Sequence, residues 1–254
     1  MELKGKRVVV TRAKDQAGEM LALLREKGAV PIFFPTIELV PPSDWGPVDA
    51  ALGRMEGYHW VVFTSANGVR FFSDRAKVLG FDLKRLLEGK DVCAIGPATA
   101  CALEGKGVSP TLVPPRFVAE EVLEALRARG MEGRRVLIPR AQVARDVLPQ
   151  GLKGAGAQVD VVVVYRTVVP QVDSSVRKEV LEADIFTFTS PSTAQNFVRI
   201  MGEKLSPDFW RDKVVASIGP VTTMALRHLG VVVDLEAGEY TVRGLVRALE
   251  EFQP

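Results

Sequence analysis

A chain of 254 residues, at about 150 residues per domain, has room for one large or two small domains. Apolar residues make up 47% and charged residues 25%, which excludes a disordered or collagen-like chain, and 33 Lys and Arg against 31 Asp and Glu leave a net charge of +2 with no global field for a polyanion. Two cysteines, Cys93 and Cys101, cannot organise a disulfide framework, and no stretch approaches the roughly 20 apolar residues that span a bilayer.

The expectation is a reducing, cytoplasmic protein that is neither membrane-bound nor secreted through an apolar leader, since MELKGKRVVVTRAKD carries no such core. Its aromatic residues lie apart from any Arg/Lys stripe, so no nucleic-acid partner is expected.

The first element is a buried-strand run at 8–10 inside KRVVVTRA (6–13), followed by a helical face of Met20, Leu21, Leu23 and Leu24 that stops at Gly28. An extended, proline-bounded segment follows at 33–47. A strand at 60–63 then leads through Thr64, Ser65, Ala66 and Asn67 into a helix bearing Val69, Phe71 and Phe72. CAIGPATACAL (from Cys93) and FVAEEVLEAL (from Phe117) complete the first half.

The second half repeats the blocks of the first. RRVLIPRA (134–141) matches KRVVVTRA, with Arg135 lying 128 residues after Arg7, and leads to the extended run VVVVYRTVVPQVD at 161–173. FTFTSPSTA (from Phe186) matches VVFTSANGV (from Val61), with Phe188 lying 125 residues after Phe63. ASIGPVTTMAL and YTVRGLVRAL match the two remaining blocks, Gly219 and Tyr240 each lying 123 residues after Gly96 and Phe117. Matching blocks on both sides of the chain signal an internal repeat.

Each block is a β-branched run, a Ser/Thr/Gly/Pro junction and a helical spacing of apolar residues. Strands alternating with helices call for parallel sheets covered on both faces, the α/β class. The two extended segments are equivalent in the repeat and read as crossings, so that one domain is continuous and the other is built from both chain ends. Two tandem domains divided near Gly133 fit the periodicity as well.

In an open parallel sheet, ligands bind beyond the carboxyl ends of the strands. The junctions Thr64, Ser65 and Ala66, and Thr189, Ser190, Ser192 and Thr193, fall there, as do IGPAT and IGPVT with Gly96, Thr99, Gly219 and Thr222. A helix amino terminus has N–H groups without intrahelical partners and a partial positive charge, so it accepts carboxylate or phosphate. The same residues also serve as ordinary N-caps, worth ~1 kcal/mol each. Arg12 and Arg140, after the first strand of each copy, suit anion contacts or a plain charged surface.

His59, His228 and the two cysteines lack zinc-site spacing, and no G-x-S-x-G elbow, phosphate loop or dinucleotide fingerprint is present. Tyr165 is the one polar aromatic in a valine run. A phenol can donate a proton, though an unperturbed pKa near 10 makes it a weak acid, and a core role also suits it.

In order, TRA, FTSANGV, IGPATACAL, IPRAQVARDVLPQGLKGAGAQVDVVVVYRT, FTSPSTAQNF and IGPVTTMAL resemble the uroporphyrinogen-III synthase (HemD) family along nearly the full length. The resemblance implies two flavodoxin-like doubly wound domains, 1–36 with 168–254 and 40–164, joined by a two-stranded β connector and flanking an active-site cleft. It implies that hydroxymethylbilane is cyclised to uroporphyrinogen III, with loss of water and inversion of ring D, for haem, sirohaem or cobalamin synthesis. It further implies a cytoplasmic monomer without metal or organic cofactor, and leaves room for hand-over from hydroxymethylbilane synthase.

By that resemblance Tyr165 assists departure of the hydroxyl. Thr99 and Thr222 match the threonines of the IGP segments, and Ser65, Ser190 and Ser192 match positions near substrate carboxylates. Val221 stands where the family usually has Thr. The competing reading is a two-domain protein that binds a small acid without turnover.

Overall fold

The computed structural model describes residues 1–253, apart from the side chain of Pro207. In chain order the elements are β1 (Arg7–Val10), α1 (Gly18–Glu26), β2 (Val30–Phe33), β3 (Glu38–Val40), α2 (Gly46–Gly53), β4 (Trp60–Phe63), α3 (Ala66–Val78), α4 (Leu83–Leu86), β5 (Asp91–Ala94), α5 (Pro97–Glu104) and α6 (Ala119–Arg127). They continue with β6 (Arg135–Ala141), α7 (Val147–Gly154), β7 (Gln158–Val168), α8 (Ser174–Leu181), β8 (Ile185–Phe188), α9 (Pro191–Met201), β9 (Val214–Ser217), α10 (Pro220–His228), β10 (Leu235–Glu236) and α11 (Val242–Glu251).

The chain divides into two units. Unit 1 joins Met1–Leu39 to the chain from Val168 onward, and unit 2 is Val40–Thr167.

The sheet of unit 1 runs β10-β9-β8-β1-β2 with parallel pairing throughout. Side chains alternate across a strand, so the unbroken valines of β1 serve two cores at once. Val8 and Val10 face Met20 and Leu24 of α1 and Leu245 and Leu249 of α11. Val9 faces the other way, with Phe186, Phe197 of α9 and Leu226 of α10. Phe197 is the hub of that layer: its ring meets the edges of Phe34, Phe186 and Phe188 at 5.4, 5.6 and 5.4 Å.

The second sheet, carried mainly by unit 2, runs β3-β7-β6-β4-β5, with parallel pairing of β7, β6, β4 and β5 and a single parallel bridge from Cys93 to Leu112 beyond β5. Trp60, Val62, Val136 and Ile138 pack on α6 and α7 through Val122, Leu126, Leu148 and Leu152. On the opposite face Phe63 meets the ring of Phe72 at 5.7 Å.

The parallel α/β class read from the strand-helix alternation is what both sheets show. One local expectation needs correction: segment 33–47 is not extended throughout. It forms β3, then enters α2 at Gly46, whose N–H is held 2.7 Å from the Asp44 carboxylate, and Pro47 stands in the first helical turn, where its missing N–H costs nothing. His59 also has a structural partner, its Nδ1 accepting the Arg135 N–H at 3.0 Å.

Candidate active site

At the carboxyl end of β4 the chain leaves the sheet through Thr64 and Ser65. Ser65 is extended, with φ −166° and ψ 153°, and its Oγ accepts the Gly68 N–H at 2.9 Å, which caps α3 and sets Ala66 as the first helical residue. The same Oγ lies 3.2 Å from the phenol oxygen of Tyr165, and either can donate.

Tyr165 reaches that point because β7 bulges against β6. Arg140 pairs with Val163, but Ala141 pairs with Tyr165, which leaves Val164 as the extra residue. A bulge of this kind re-aims the side chain that follows it. The Tyr165 ring is 9% exposed and stacks on Phe71 of α3, with centroids 5.3 Å apart and planes inclined by 17°. The Arg70 guanidinium lies 4.6 Å from the centroid of that Phe71 ring. The tyrosine is thus oriented by a hydroxyl and an aromatic face, with a cation on the neighbouring ring.

Arg140 leaves β6 on the same rim with its side chain 14% exposed. Its two terminal nitrogens donate to the Arg145 carbonyl at 3.0 Å and to the Asp146 carboxylate at 2.6 Å, while its Nε is buried without a partner. A 190 Å³ cavity opens here, lined by Thr64, Phe117, Arg140 and Arg145 among others. Arg12, the counterpart in unit 1, repeats the feature: its Nε is buried and unpartnered, and burial lowers the guanidinium pKa against the raising effect of Glu19. These are the two buried side-chain N or O atoms without a hydrogen bond among the described residues. Burying a donor without a partner is costly, so such a pair at equivalent rim positions suits an acceptor from outside the chain.

In unit 1 the equivalent junction is closed on itself. Ser190 accepts the Thr193 N–H at 3.2 Å while the Thr193 hydroxyl accepts the Ser190 N–H at 3.2 Å, a complete capping box, and Ser192 Oγ lies 3.0 Å from Ser190 Oγ. Gly96 and Gly219 are the residues that precede α5 and α10. Thr99 and Thr222 are each only 3% exposed. It is Thr223 that makes side-chain bonds, to Ser217 Oγ at 2.6 Å and to the Glu236 carboxylate at 2.5 Å.

The structure therefore brings together Ser65 with Tyr165, Thr64 with Arg140, and Ser190 with Ser192 and Thr193. It adds Phe71, Phe117 and Arg145, which the residue pattern alone does not single out. Larger surface hollows of 390, 430 and 440 Å³ share Asp82 near the start of β5, at the opposite end of that strand from Gly96. They lack this combination of hydroxyl, phenol and arginine.

The family model for uroporphyrinogen-III synthase HemD matches residues 18–247. The chain belongs to the uroporphyrinogen-III synthase family. Members are cyclising hydro-lyases of tetrapyrrole biosynthesis. The chain is 33% identical to the uroporphyrinogen-III synthase of Synechococcus elongatus, over 98% of this chain and 96% of that one. It is 30% identical to a putative uroporphyrinogen-III synthase of Methanocaldococcus jannaschii, over 96% and 99%. In fold it is similar to uroporphyrinogen-III synthetase from Helicobacter pylori, with a TM-score of 0.63 at 18% identity over 98% of this chain and 100% of that one. It is also similar to a mutant uroporphyrinogen III synthase from Thermus thermophilus, with a TM-score of 0.60 at 20% identity over 98% and 100%. Among the described residues no helix is long and apolar enough to cross a membrane.

Proposed function

We propose that the chain cyclises hydroxymethylbilane to uroporphyrinogen III with loss of water and inversion of ring D, and that Tyr165 is its proton donor. Family membership over nearly the whole chain carries the reaction, and the Ser65–Tyr165 contact carries the placement of the chemistry.

The substrate's hydroxymethylpyrrole is electron-rich, so its own ring nitrogen expels the hydroxyl and leaves an azafulvene-like cation. The Tyr165 phenol protonates the departing oxygen, which leaves as water with the electron pair of the broken C–O bond. Ser65 and Phe71 fix the phenol's direction, and the burial of Tyr165 limits the water available to quench the cation. What remains is selection: a linear chain of four rings must close in one manner only, which is a task of positioning.

Carboxylates of the substrate are held at the strand-end rims. Arg12 and Arg140 each offer a buried, unpartnered Nε. Thr64, Ser65 and Ala66, then Ser190, Ser192 and Thr193, and finally the helix starts after Gly96 and Gly219 with Thr99 and Thr222, supply hydroxyls and N–H groups.

The two units read as flavodoxin-like domains, 1–36 with 168–254 and 40–164, with β3 beside β7 as the two-stranded connector. In unit 1 the strand order, counted along the chain, is 2-1-3-4-5. Unit 2 fits the same order when it is started at β6, the repeat partner of β1: β7-β6-β4-β5, then Leu112. We place the protein in the cytoplasm as a monomer working without cofactor, supplied with hydroxymethylbilane by its synthase.

The test is to mix the purified protein with freshly made hydroxymethylbilane, oxidise the product and separate the porphyrin isomers. Dominant type III isomer is the expected result. Type I alone, as in spontaneous closure, would overturn the assignment.

A further inference from the structure

Two aromatic side chains on the rims have no place in the proposed chemistry. Phe117 is 56% exposed and Tyr240 is 65% exposed, far too open for core residues. Each nevertheless presses on a glycine. A β-carbon built on Gly96 would lie 2.9 Å from the Phe117 ring, and one on Gly219 would lie 2.9 Å from the Tyr240 ring.

The backbone does not demand glycine at either position, since φ is −172° at Gly96 and 169° at Gly219, extended values that any residue adopts. The missing side chain makes room for the ring. Both members of each contact lie 123 residues from their counterparts, so the arrangement occurs in both halves of the repeat.

Both rings stand over the start of a helix at the carboxyl ends of their strands, and exposed apolar residues follow closely in the chain: Val118 beside Phe117, and Val221 two residues after Gly219. Phe117 also lines the 190 Å³ cavity that holds Arg140 with its unpartnered Nε. That volume lies below the roughly 300–1,000 Å³ typical of a whole drug-sized ligand. A tetrapyrrole presents two chemistries at once, flat π faces and carboxylates on flexible arms, and this cavity pairs an aromatic face with a cation.

Resting on the cyclisation reading above, we propose that Phe117 of unit 2 and Tyr240 of unit 1 are aromatic posts, each offering its ring face to a pyrrole ring of hydroxymethylbilane, while Arg140 beside Phe117 and the helix starts after Gly96 and Gly219 take carboxylates. They are positioning groups for the rings, with no part in proton transfer.

The test compares the full-length wild type with Phe117→Ala, Tyr240→Ala, the double variant, Phe117→Leu, Tyr240→Leu and Tyr240→Phe, reading KM, kcat, the type III to type I ratio and Tm. Aromatic pairing is worth about 0.5–1.5 kcal/mol, so each alanine should raise KM roughly two- to tenfold, and the double variant roughly four- to hundredfold with more type I product. The leucine variants, which keep apolar bulk and fold even where alanine fails, should show the same rise because they lack a π face. Tyr240→Phe should match wild type, and Tm should hold throughout.

Wild-type KM and isomer ratio in the leucine and double alanine variants would overturn the proposal while leaving the cyclisation intact. A Tyr240→Phe variant as weak as Tyr240→Ala would also overturn it, since the hydroxyl and not the ring face would then be the contact. Type I product from the wild type itself would remove the cyclisation reading and the posts with it.

Discussion

Ser65 and Ser190 occupy the same place in the repeat, at the end of a strand and the start of a helix, yet their surroundings differ. At Ser190 the third helical residue is Thr193, which returns a hydroxyl to the backbone and closes the cap. At Ser65 the third helical residue is Gly68, which has nothing to return, so the Ser65 hydroxyl caps in one direction and keeps its other side for Tyr165. At the 128-residue offset the counterpart of Tyr165 is Ile37, so unit 1 has no phenol there. Two copies of one turn thus diverge by a side chain each, one toward stability and the other toward chemistry.

The largest expected effect tests how much of unit 1 is scaffold. Phe197→Ala removes the hub of the aromatic layer and should cost about 3–5 kcal/mol, read by chemical denaturation. Next, Tyr165→Phe should lower kcat tens-fold, about 2 kcal/mol in the barrier, with Tm near wild type. A million-fold loss would show the phenol to be far more than an aid to a self-driven departure, and no loss would remove it from the chemistry.

The two serines break or sharpen the contrast directly. Ser65→Ala and Ser190→Ala should each cost ~1 kcal/mol of stability as lost caps, but only Ser65→Ala should lower kcat, whereas Ser190→Ala should act on KM. Equal kcat losses would mean that the repeat has not diverged.

Finer still, burial pushes the Cys93 thiol up to about 12 while Cys101 is exposed. A thiol reagent should therefore label one cysteine in the native protein and two after unfolding. Smallest is an acid effect in unit 2. The Arg75 guanidinium donates to Asp49 and holds that carboxyl below its ordinary 3.8. Its stabilisation is thus present above that pH and lost as pH falls through the lower folded value. Asp49→Asn should flatten that part of the acid unfolding curve.

Much of this was legible in the residues. The apolar runs at 8–10 and 136–138, the Ser/Thr junctions and the IGP segments announce strand, cap and helix, because burial and capping act over a few neighbouring positions. The bulge at Val164 was not legible, since it depends on how β7 registers against β6. Nor was the stacking of Phe71 on Tyr165, which joins residues from two elements that only the folded sheet brings together. Thr99 and Thr222 mark the limit of reading a role from a motif: the motif locates the helix start, while how deeply these residues pack depends on the whole fold.

The interleaving of the chain sets an order for its synthesis. Unit 2 is complete once Thr167 has emerged, but β1 and β2 belong to a sheet whose other strands, β8, β9 and β10, come later. From the end of β1 at Val10 to the end of β8 at Phe188 are 178 residues, so at 5–20 residues per second β1 waits roughly 9–36 seconds with the edge meant for β8 uncovered. The amino-terminal segment is therefore the stretch most in need of a chaperone's cover on the ribosome, and unit 2 reaches its fold first although it begins second.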